Sequence, residues 1–306
     1  MEQLFQKPIK FTFSGHDSFQ CRQLWLKKGY DFVNAGKSFN DESAVVDLGV
    51  GKNMVSSIRY WLKAFGITSE NDVPTDFGRK LLNNEGWDPY LEDEASLWLL
   101  HYQLLKLRLA STYHLVFNEF RREKIEFEKK DYLAFVNRKS QAERGISFNE
   151  RTVGDDFEVF RKMYLADEKA ASNEDSFAGI LSDLGLVGFY RAIREPNVGS
   201  NKGREVEEGY FIENNDRPNL PVVVFLVAIL EQYASSTSIG LNNLSSDIVG
   251  PGSLFALSRS GIWDKTQEAV QKYDFVALQD YAGIQELQFR EKVEPFNVLD
   301  HYYGKG

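Results

Sequence analysis

The sequence has little cysteine and no long hydrophobic segment, and each absence excludes a class of protein. Cys21 is the only cysteine among 306 residues, so a disulfide framework and any zinc or iron–sulfur site built from several cysteines are excluded. The longest uninterrupted apolar run, Val222–Leu230, is about half as long as a membrane-spanning helix requires. Residues 1–11 lack the apolar core of a secretion signal. We therefore expect a cytoplasmic protein without a membrane partner.

The residues that are present are typical of a folded protein. Hydrophobic residues make up 42% of the chain, which is enough for more than one buried core. At roughly 150 residues per domain, the length predicts about two domains. We place an N-terminal DNA-binding domain over residues 1–112 and a mainly helical C-terminal domain over residues 113–306.

The charge is distributed unevenly along the chain. The net charge is -9, but residues 1–65 contain nine Lys and Arg against six Asp and Glu. A wholly basic nucleic-acid coat is excluded, yet a locally basic surface can still bind a polyanion because counterion release depends on the phosphate-contacting surface. The alternative is that these charges only solvate a surface.

Apolar residues recur at helical spacing in most segments. We predict a mainly α (α+β) fold with winged-helix or helix-turn-helix-like modules at both ends and short β-hairpins. The predicted helices cover residues 18–35, 53–65, 94–110, 264–273 and 280–285, and residues 220–233 form a helix or a strand followed by a helix. A short element covers 42–50, and a strand covers 286–291.

The segment Leu48–Ile67 carries the most informative pattern. Gly49 and Gly51 form a tight turn between a short element and an amphipathic helix, which is the arrangement of a helix-turn-helix. Small hairpin strands within residues 66–80 would complete a winged helix. The GVGK letters do not form a P-loop, because the spacing is too short and Asn53 replaces the required Ser or Thr.

Several side chains of this region are suited to bind DNA. Lys52 and Asn53 stand at a helix N-terminus, where backbone N–H groups and the helix dipole favour phosphate. Ser56, Arg59 and Lys63 follow at helical spacing on the side away from the apolar face. The alternative is a solvated helix face without a ligand. The candidate DNA-binding residues are Lys27, Lys28, Lys52, Asn53, Ser56, Arg59 and Lys63.

A histidine and a carboxylate are neighbours in the loop SGHDSF. His16 and Asp17 are candidate catalytic residues, because such a pair can transfer protons or bind a divalent metal. The alternative is an Asp that caps the following helix beside a hydrogen-bonded His.

A second acidic group precedes the predicted helix over 94–110. Mg²⁺ takes one or two carboxylates with waters and phosphate oxygens, so Glu92 and Asp93 join Asp17 as candidate magnesium ligands. The alternative is that these carboxylates only stabilise the helix N-terminus through its dipole. No complete nuclease, serine-hydrolase or dinucleotide-binding signature is present.

Three stretches together resemble the bacterial DUF4007 family: FSGHDSFQCRQLWLKKGYDFV, LGVGKNMVSSIRYWLKAFGI and DPYLEDEASLWLLHYQLL. The later FAGILSDLGLV and the helical stretch at 220–233 extend the similarity over most of the chain. Position 17 is more often Glu in the family pattern, and Asp17 keeps the carboxylate. Members lie in DNA phosphorothioation defence cassettes beside a sulfur-transferring enzyme and an ATPase, and one member is described as a DNA nicking enzyme.

The resemblance implies a DNA-binding, Mg²⁺-dependent nicking endonuclease that opens one strand for sulfur incorporation. It also implies DNA, the sulfur-transfer enzyme and the ATPase as partners. The alternative is a non-enzymatic DNA-binding adaptor or regulator that recruits the modification enzymes. A third possibility is a protein-interaction scaffold that makes no DNA contact.

Overall fold

The fold is mainly helical with two small antiparallel sheets, as the sequence predicts. The computed structural model describes residues 11–142, 148–166, 178–194, 205–281 and 283–305. The helices are α1 (Gln23–Asn34), α2 (Ala44–Leu48), α3 (Lys52–Ala64), α4 (Asp76–Leu82), α5 (Glu94–Leu107), α6 (Ser111–His114), α7 (Arg121–Glu123), α8 (Lys129–Ala142), α9 (Glu150–Tyr164), α10 (Val222–Gln232), α11 (Leu241–Ser246), α12 (Pro251–Leu254), α13 (Arg259–Lys272) and α14 (Pro295–Tyr302). The strands are β1 (Glu126–Phe127), β2 (Gly188–Arg194), β3 (Glu205–Phe211), β4 (Ser238–Gly240), β5 (Val276–Tyr281) and β6 (Ile284–Phe289).

The first three helices form the predicted helix-turn-helix arrangement. Gly49 ends α2 in the left-handed conformation with φ 61°, which only glycine adopts without a steric cost. The α3 helix then begins and buries Ile58, Trp61 and Leu62 completely. It packs closely on α1 because Gly29 has no side chain; a Cβ there would lie 2.7 Å from Ile58.

The segment predicted to hold a wing is short. One antiparallel bridge joins Thr68 to Pro74, and α4 follows directly. Thr75 caps this helix by accepting a hydrogen bond from the Gly78 amide, so its hydroxyl satisfies one of the free N–H groups. Residues 66–80 therefore form a tight turn and a helix.

The C-terminal part contains, in order, α10, the strand β4, the two short helices α11 and α12, the longer helix α13, the β5–β6 hairpin and α14. The strand order in this sheet is β4-β6-β5, and the other sheet has the order β1-β3-β2. The helix predicted over 280–285 is wrong, because Tyr281 pairs with Ile284 across a turn in which Gly283 has φ 82°. Pairing between two neighbouring strands here overrides the local helical pattern. Residues 220–233 contain the helix α10, and the helix predicted over 264–273 is confirmed as the second part of α13, which ends at Lys272.

One buried core extends along the described chain and crosses the boundary predicted at residue 112. The C-terminal α14 packs beside the N-terminal helices: the rings of Trp87 and Tyr303 stack with centroids 5.7 Å apart. Lys80 forms an ion pair with Asp300 at 2.8 Å in the same contact. The division into two domains stays a prediction. Within the described ranges, no helix is long and apolar enough to cross a membrane.

Candidate nucleic-acid interface

The N-terminus of α3 is the exposed end of the helix-turn-helix. Lys52, Asn53 and Ser56 are exposed. Gly51 stands at the N-cap position and offers no side-chain cap, and the first turn contains no acidic residue. No capping side chain therefore occupies the first-turn N–H groups, so they can donate hydrogen bonds to an anion.

A strained loop lies against the same helix. Ser14, Asp17 and Ser18 all have left-handed backbones, with φ of 66°, 47° and 69°. Such conformations are costly for residues with side chains and persist where surrounding contacts enforce them. Gly15 lies against the Tyr60 ring, which any Cβ at this position would overlap. This arrangement, the 14–18 loop, holds the exposed Asp17 beside α3.

The loop is anchored from α9. His16 Nε2 lies 2.6 Å from Asp156 Oδ1, and the backbone amide of Ser14 donates to the same oxygen at 2.9 Å. His16 is 1% exposed and stacks on Trp61 with ring centroids 5.6 Å apart. The histidine side chain thus holds the loop in place, while the carboxylate of Asp17 points to an exposed position.

Asp156 is a functional candidate that the sequence analysis missed. It lies 140 residues from His16 in the chain, so no local pattern connects them. The sequence feature that points to Asp156 is its position at helical spacing on the apolar face of α9, which it shares with Val153, Phe157 and Phe160. Burial raises the pKa of Tyr60 well above its usual value, and the nearby Asp156 carboxylate adds to this effect. Tyr60 therefore stays neutral at physiological pH.

Two predicted DNA-binding cations are already engaged within the protein. Arg59 donates to both carboxylate oxygens of Asp72, at 3.0 and 2.6 Å, and Lys63 lies 3.2 Å from the same group. Asp72 belongs to the turn that follows α3. Partial burial acts to raise its pKa, but hydrogen bonds from Arg59 and Lys63 outweigh burial and lower it. The aspartate therefore remains charged and partly neutralises the second half of the α3 stripe.

Lys27 and Lys28 lie apart from that stripe, on α1. Both line an open pocket of about 430 Å³ between α1, α2 and the chain segment before α5. Lys28 Nζ donates to the Leu48 carbonyl at 3.0 Å. The sequence analysis missed two further pocket residues, Lys37 and Tyr90.

The acidic residues before α5 serve the helix N-terminus. The Asp88 carboxylate accepts hydrogen bonds from the amides of Glu92 and Asp93, at 3.0 and 2.9 Å. Asp93 caps α5 by accepting from the Ala95 amide at 2.7 Å. For Asp93 the cap agrees with the alternative that this carboxylate stabilises the helix N-terminus, while Glu92 is exposed.

The magnesium ligands predicted from the sequence do not form a closed cage. Nowhere in the described ranges do three His, Cys, Asp or Glu side chains come together in a metal-binding arrangement. Asp17 and the Glu92–Asp93 pair are thus not assembled into one three-ligand site. A magnesium ion of the open kind does not need such a cluster, because it takes one or two carboxylates and completes its shell with water and phosphate oxygens.

Comparison with known proteins identifies close structural relatives. The chain is similar to a crystal structure of SspB with a magnesium ion bound, with 27% identity and a TM-score of 0.80. It is similar to a second SspB crystal structure with 27% identity and a TM-score of 0.79. Each alignment covers 96% of this chain and 88% of the SspB chain. No curated protein sequence matches the chain.

The sequence resemblance is confirmed by the family model for proteins of unknown function DUF4007, which matches residues 13–303. The matched range includes the 14–18 loop, the helix-turn-helix and α14. The chain therefore belongs to the DUF4007 family.

Proposed function

We propose that this protein binds DNA in a bacterial phosphorothioation defence system and nicks one strand with the help of Mg²⁺, so that sulfur can enter the backbone. The observation that carries the proposal is the similarity to SspB along 96% of the chain, including an SspB structure with a magnesium ion bound. The DUF4007 resemblance adds the phosphorothioation context, with the sulfur-transfer enzyme and the ATPase as protein partners.

DNA contact would centre on the start of α3. Lys52 and Asn53 are exposed beside N–H groups that no side chain caps, and Ser56 is exposed one turn later. Backbone amides and a lysine at a helix N-terminus are a recurring phosphate-binding combination. The 14–18 loop packs on Tyr60, about two turns further along the same helix, and the proposal is that a strand held at the start of α3 continues past Asp17.

Within this arrangement Asp17 is the proposed catalytic carboxylate. Its side chain would hold Mg²⁺ together with a phosphate of the DNA, which explains why a three-residue cage is not required. A bound Mg²⁺ would neutralise charge on the phosphate during strand cleavage. His16 keeps the loop in its strained shape through Asp156, so its proposed role is to position Asp17. Glu92 and Asp93 have a smaller part in the proposed magnesium site, since Asp93 already caps α5.

A plasmid assay tests the proposal. Supercoiled DNA incubated with the protein and Mg²⁺ should yield open-circular product, and EDTA should abolish it. Asp17→Ala should lose the product but retain DNA binding, while the control Asp264→Ala, which alters an exposed aspartate of α13, should nick normally. DNA binding without nicking in the presence of Mg²⁺ or Mn²⁺ would contradict the enzyme.

The adaptor alternative needs no metal site. An adaptor would bind DNA equally well with Mg²⁺ or EDTA and would leave plasmid supercoiled. The scaffold alternative makes a different prediction: replacing Lys52 and Arg59 by Glu together would leave salt-dependent DNA binding unchanged. Gel-shift titration at two salt concentrations separates these alternatives.

A further inference from the structure

We infer that the pocket between α1, α2 and residues 83–91 seats one nucleotide of a DNA strand, with the base against Tyr90 and the phosphate among the lysines. This inference rests on the proposed function, which supplies DNA as the ligand. The pocket volume of about 430 Å³ is in the range of small-molecule sites. A single-stranded or extruded nucleotide suits such a space, whereas a base-paired duplex does not.

A buried lysine forms the inner wall of this pocket. Lys27 is 7% exposed, and its ammonium group donates to Asp31 at 2.6 Å and to the Asn84 side chain at 2.8 Å. It also lies 5.9 Å from the Tyr90 ring centroid and 6.0 Å from that of Tyr30. A charge is kept at low exposure only where partners compensate for its lost hydration. The pocket is thus built around a fixed positive charge.

Two further ammonium groups belong to the same wall. Lys28 donates to the Leu48 carbonyl, and Lys37 pairs with Asp47 at 2.9 Å. Three lysines therefore face two aspartates, which leaves the pocket with a net positive charge. The side chain of Lys37 is 47% exposed, so its pairing with Asp47 is weak and can be exchanged for a phosphate.

Exposed apolar surface completes the pocket. Tyr90 is 57% exposed and Leu24 is 61% exposed, and both line it. An aromatic ring beside positive charges is the usual platform for single strands, because every base has a face that can stack. An anion without an aromatic group would interact with the lysines but could not stack on the Tyr90 ring.

The pocket also adjoins the proposed phosphate site. Leu48 lines it and ends α2, and α3 begins four residues later at Lys52. Four residues of extended chain span at most about 14 Å, so a strand can reach from one site to the other within a few nucleotides. A nucleotide in the pocket and a phosphate at the α3 N-terminus can therefore belong to one strand.

Fluorescence anisotropy with a labelled 12-nucleotide single strand and its duplex tests the inference. Tyr90→Ala should weaken single-strand binding about tenfold, a size typical of base stacking, and change duplex binding less than about twofold. Tyr90→Phe should retain most of the affinity. Tyr281→Ala, which removes a 77% exposed tyrosine on the β5–β6 hairpin, is the matched control and should change neither.

The charge component has its own variant. Lys37→Ala should weaken single-strand binding and reduce the slope of log affinity against log salt by about one. Lys292→Ala, at a lysine whose side chain is 75% exposed, is the matched control and should leave the slope unchanged.

Two results would overturn the inference while leaving the proposed function intact. In the first, Tyr90→Ala and Lys37→Ala bind the single strand like the unaltered protein, and DNA binding still depends on Lys52. In the second, deoxyadenosine monophosphate saturates the pocket without competing with the single strand. Failure of the unaltered protein to bind any DNA would instead contradict the proposed function itself.

Discussion

Arg59 and Asp72 form a bidentate ion pair across the turn that follows α3. The guanidinium Nε and Nη2 donate to the two carboxylate oxygens at 3.0 and 2.6 Å, and Nη1 donates to the Asn40 side chain. Two parallel hydrogen bonds to one carboxylate fix the orientation of the planar guanidinium. The exposed stripe predicted along α3 is therefore divided into a free first turn and a second half bound to the protein itself.

This division predicts that Lys52 and Arg59 respond differently to truncation. Lys52→Ala should weaken DNA binding and reduce the salt slope by about one, with little change in stability, because Lys52 is exposed. Arg59→Ala should lower the free energy of unfolding by about 1 kcal/mol, discounted for partial exposure, and affect DNA affinity less. Urea unfolding and gel-shift titration measure both quantities. Equal losses of DNA affinity in the two variants would contradict the division.

Asp72 should act as an internal competitor of the phosphate backbone. Asp72→Asn keeps the size of the side chain but frees Arg59 and Lys63 from a charged partner. We expect tighter DNA binding at low salt and a salt slope that rises by up to about two. Asp76→Asn is the control, since Asp76 is an exposed aspartate at the start of α4. Unchanged affinity in Asp72→Asn would show that these two cations do not reach the DNA.

The contrast between α3 and its partners shows how far the sequence is informative. The helix itself follows from Ile58, Trp61 and Leu62 at helical spacing and from the glycines that flank it. These features depend on residues close in the chain.

Contacts between distant residues could not be predicted in the same way. Asp156 meets His16 because α9 packs beside the N-terminal loop. Asp72, whose own backbone is left-handed with φ 60°, meets Arg59 because the chain turns back after α3. The strand predicted over 286–291 overlaps β6, but residues 280–285 are predicted as a helix because the stability of the hairpin comes from cross-strand pairs such as Leu278 with Leu287, which a helical window does not contain. The pocket around Lys27 joins four separate segments for the same reason.

Asp156 should be essential for the shape of the 14–18 loop. Asp156→Ala removes the partner of His16 Nε2 and of the Ser14 amide and leaves both buried or partly buried groups unsatisfied. We expect a loss of about 3 kcal/mol in the free energy of unfolding. Asp155→Ala, at the exposed neighbour on α9, should cost less than about 0.5 kcal/mol. Similar stabilities of the two variants would contradict the anchoring role.

Stability should fall in mild acid, and the buried His101 is one cause. Burial lowers the pKa of His101 from 6.5 to about 4, and both ring nitrogens are hydrogen bonded, to Tyr164 and to the Leu254 carbonyl. The unfolded chain binds a proton near pH 6.5, but the folded chain does not until about pH 4. The contribution of His101 to the free energy of unfolding is therefore fully present above pH 6.5, and it is lost as the pH falls toward 4.

The size of this effect is on the order of 3 kcal/mol at pH 4, from 1.36 kcal/mol per unit of pKa difference. Urea unfolding at several pH values between 7 and 4 measures it. His101→Gln removes the titrating group, so it should be less stable at pH 7 but should show a shallower decrease toward pH 4. A decrease of the same steepness in this variant would assign the acid sensitivity to other groups.

The charge of Asp17 should matter for function and not for folding. Its backbone has φ 47°, a conformation that asparagine adopts readily, so Asp17→Asn keeps the loop while removing the carboxylate charge. We expect unchanged stability and DNA affinity, but a loss of nicking of at least about a hundredfold. Ser18→Asn, at the adjacent left-handed residue, is the matched control and should nick like the unaltered protein. Because the two variants share loop geometry and differ in the carboxylate, equal nicking by both would remove Asp17 from the reaction.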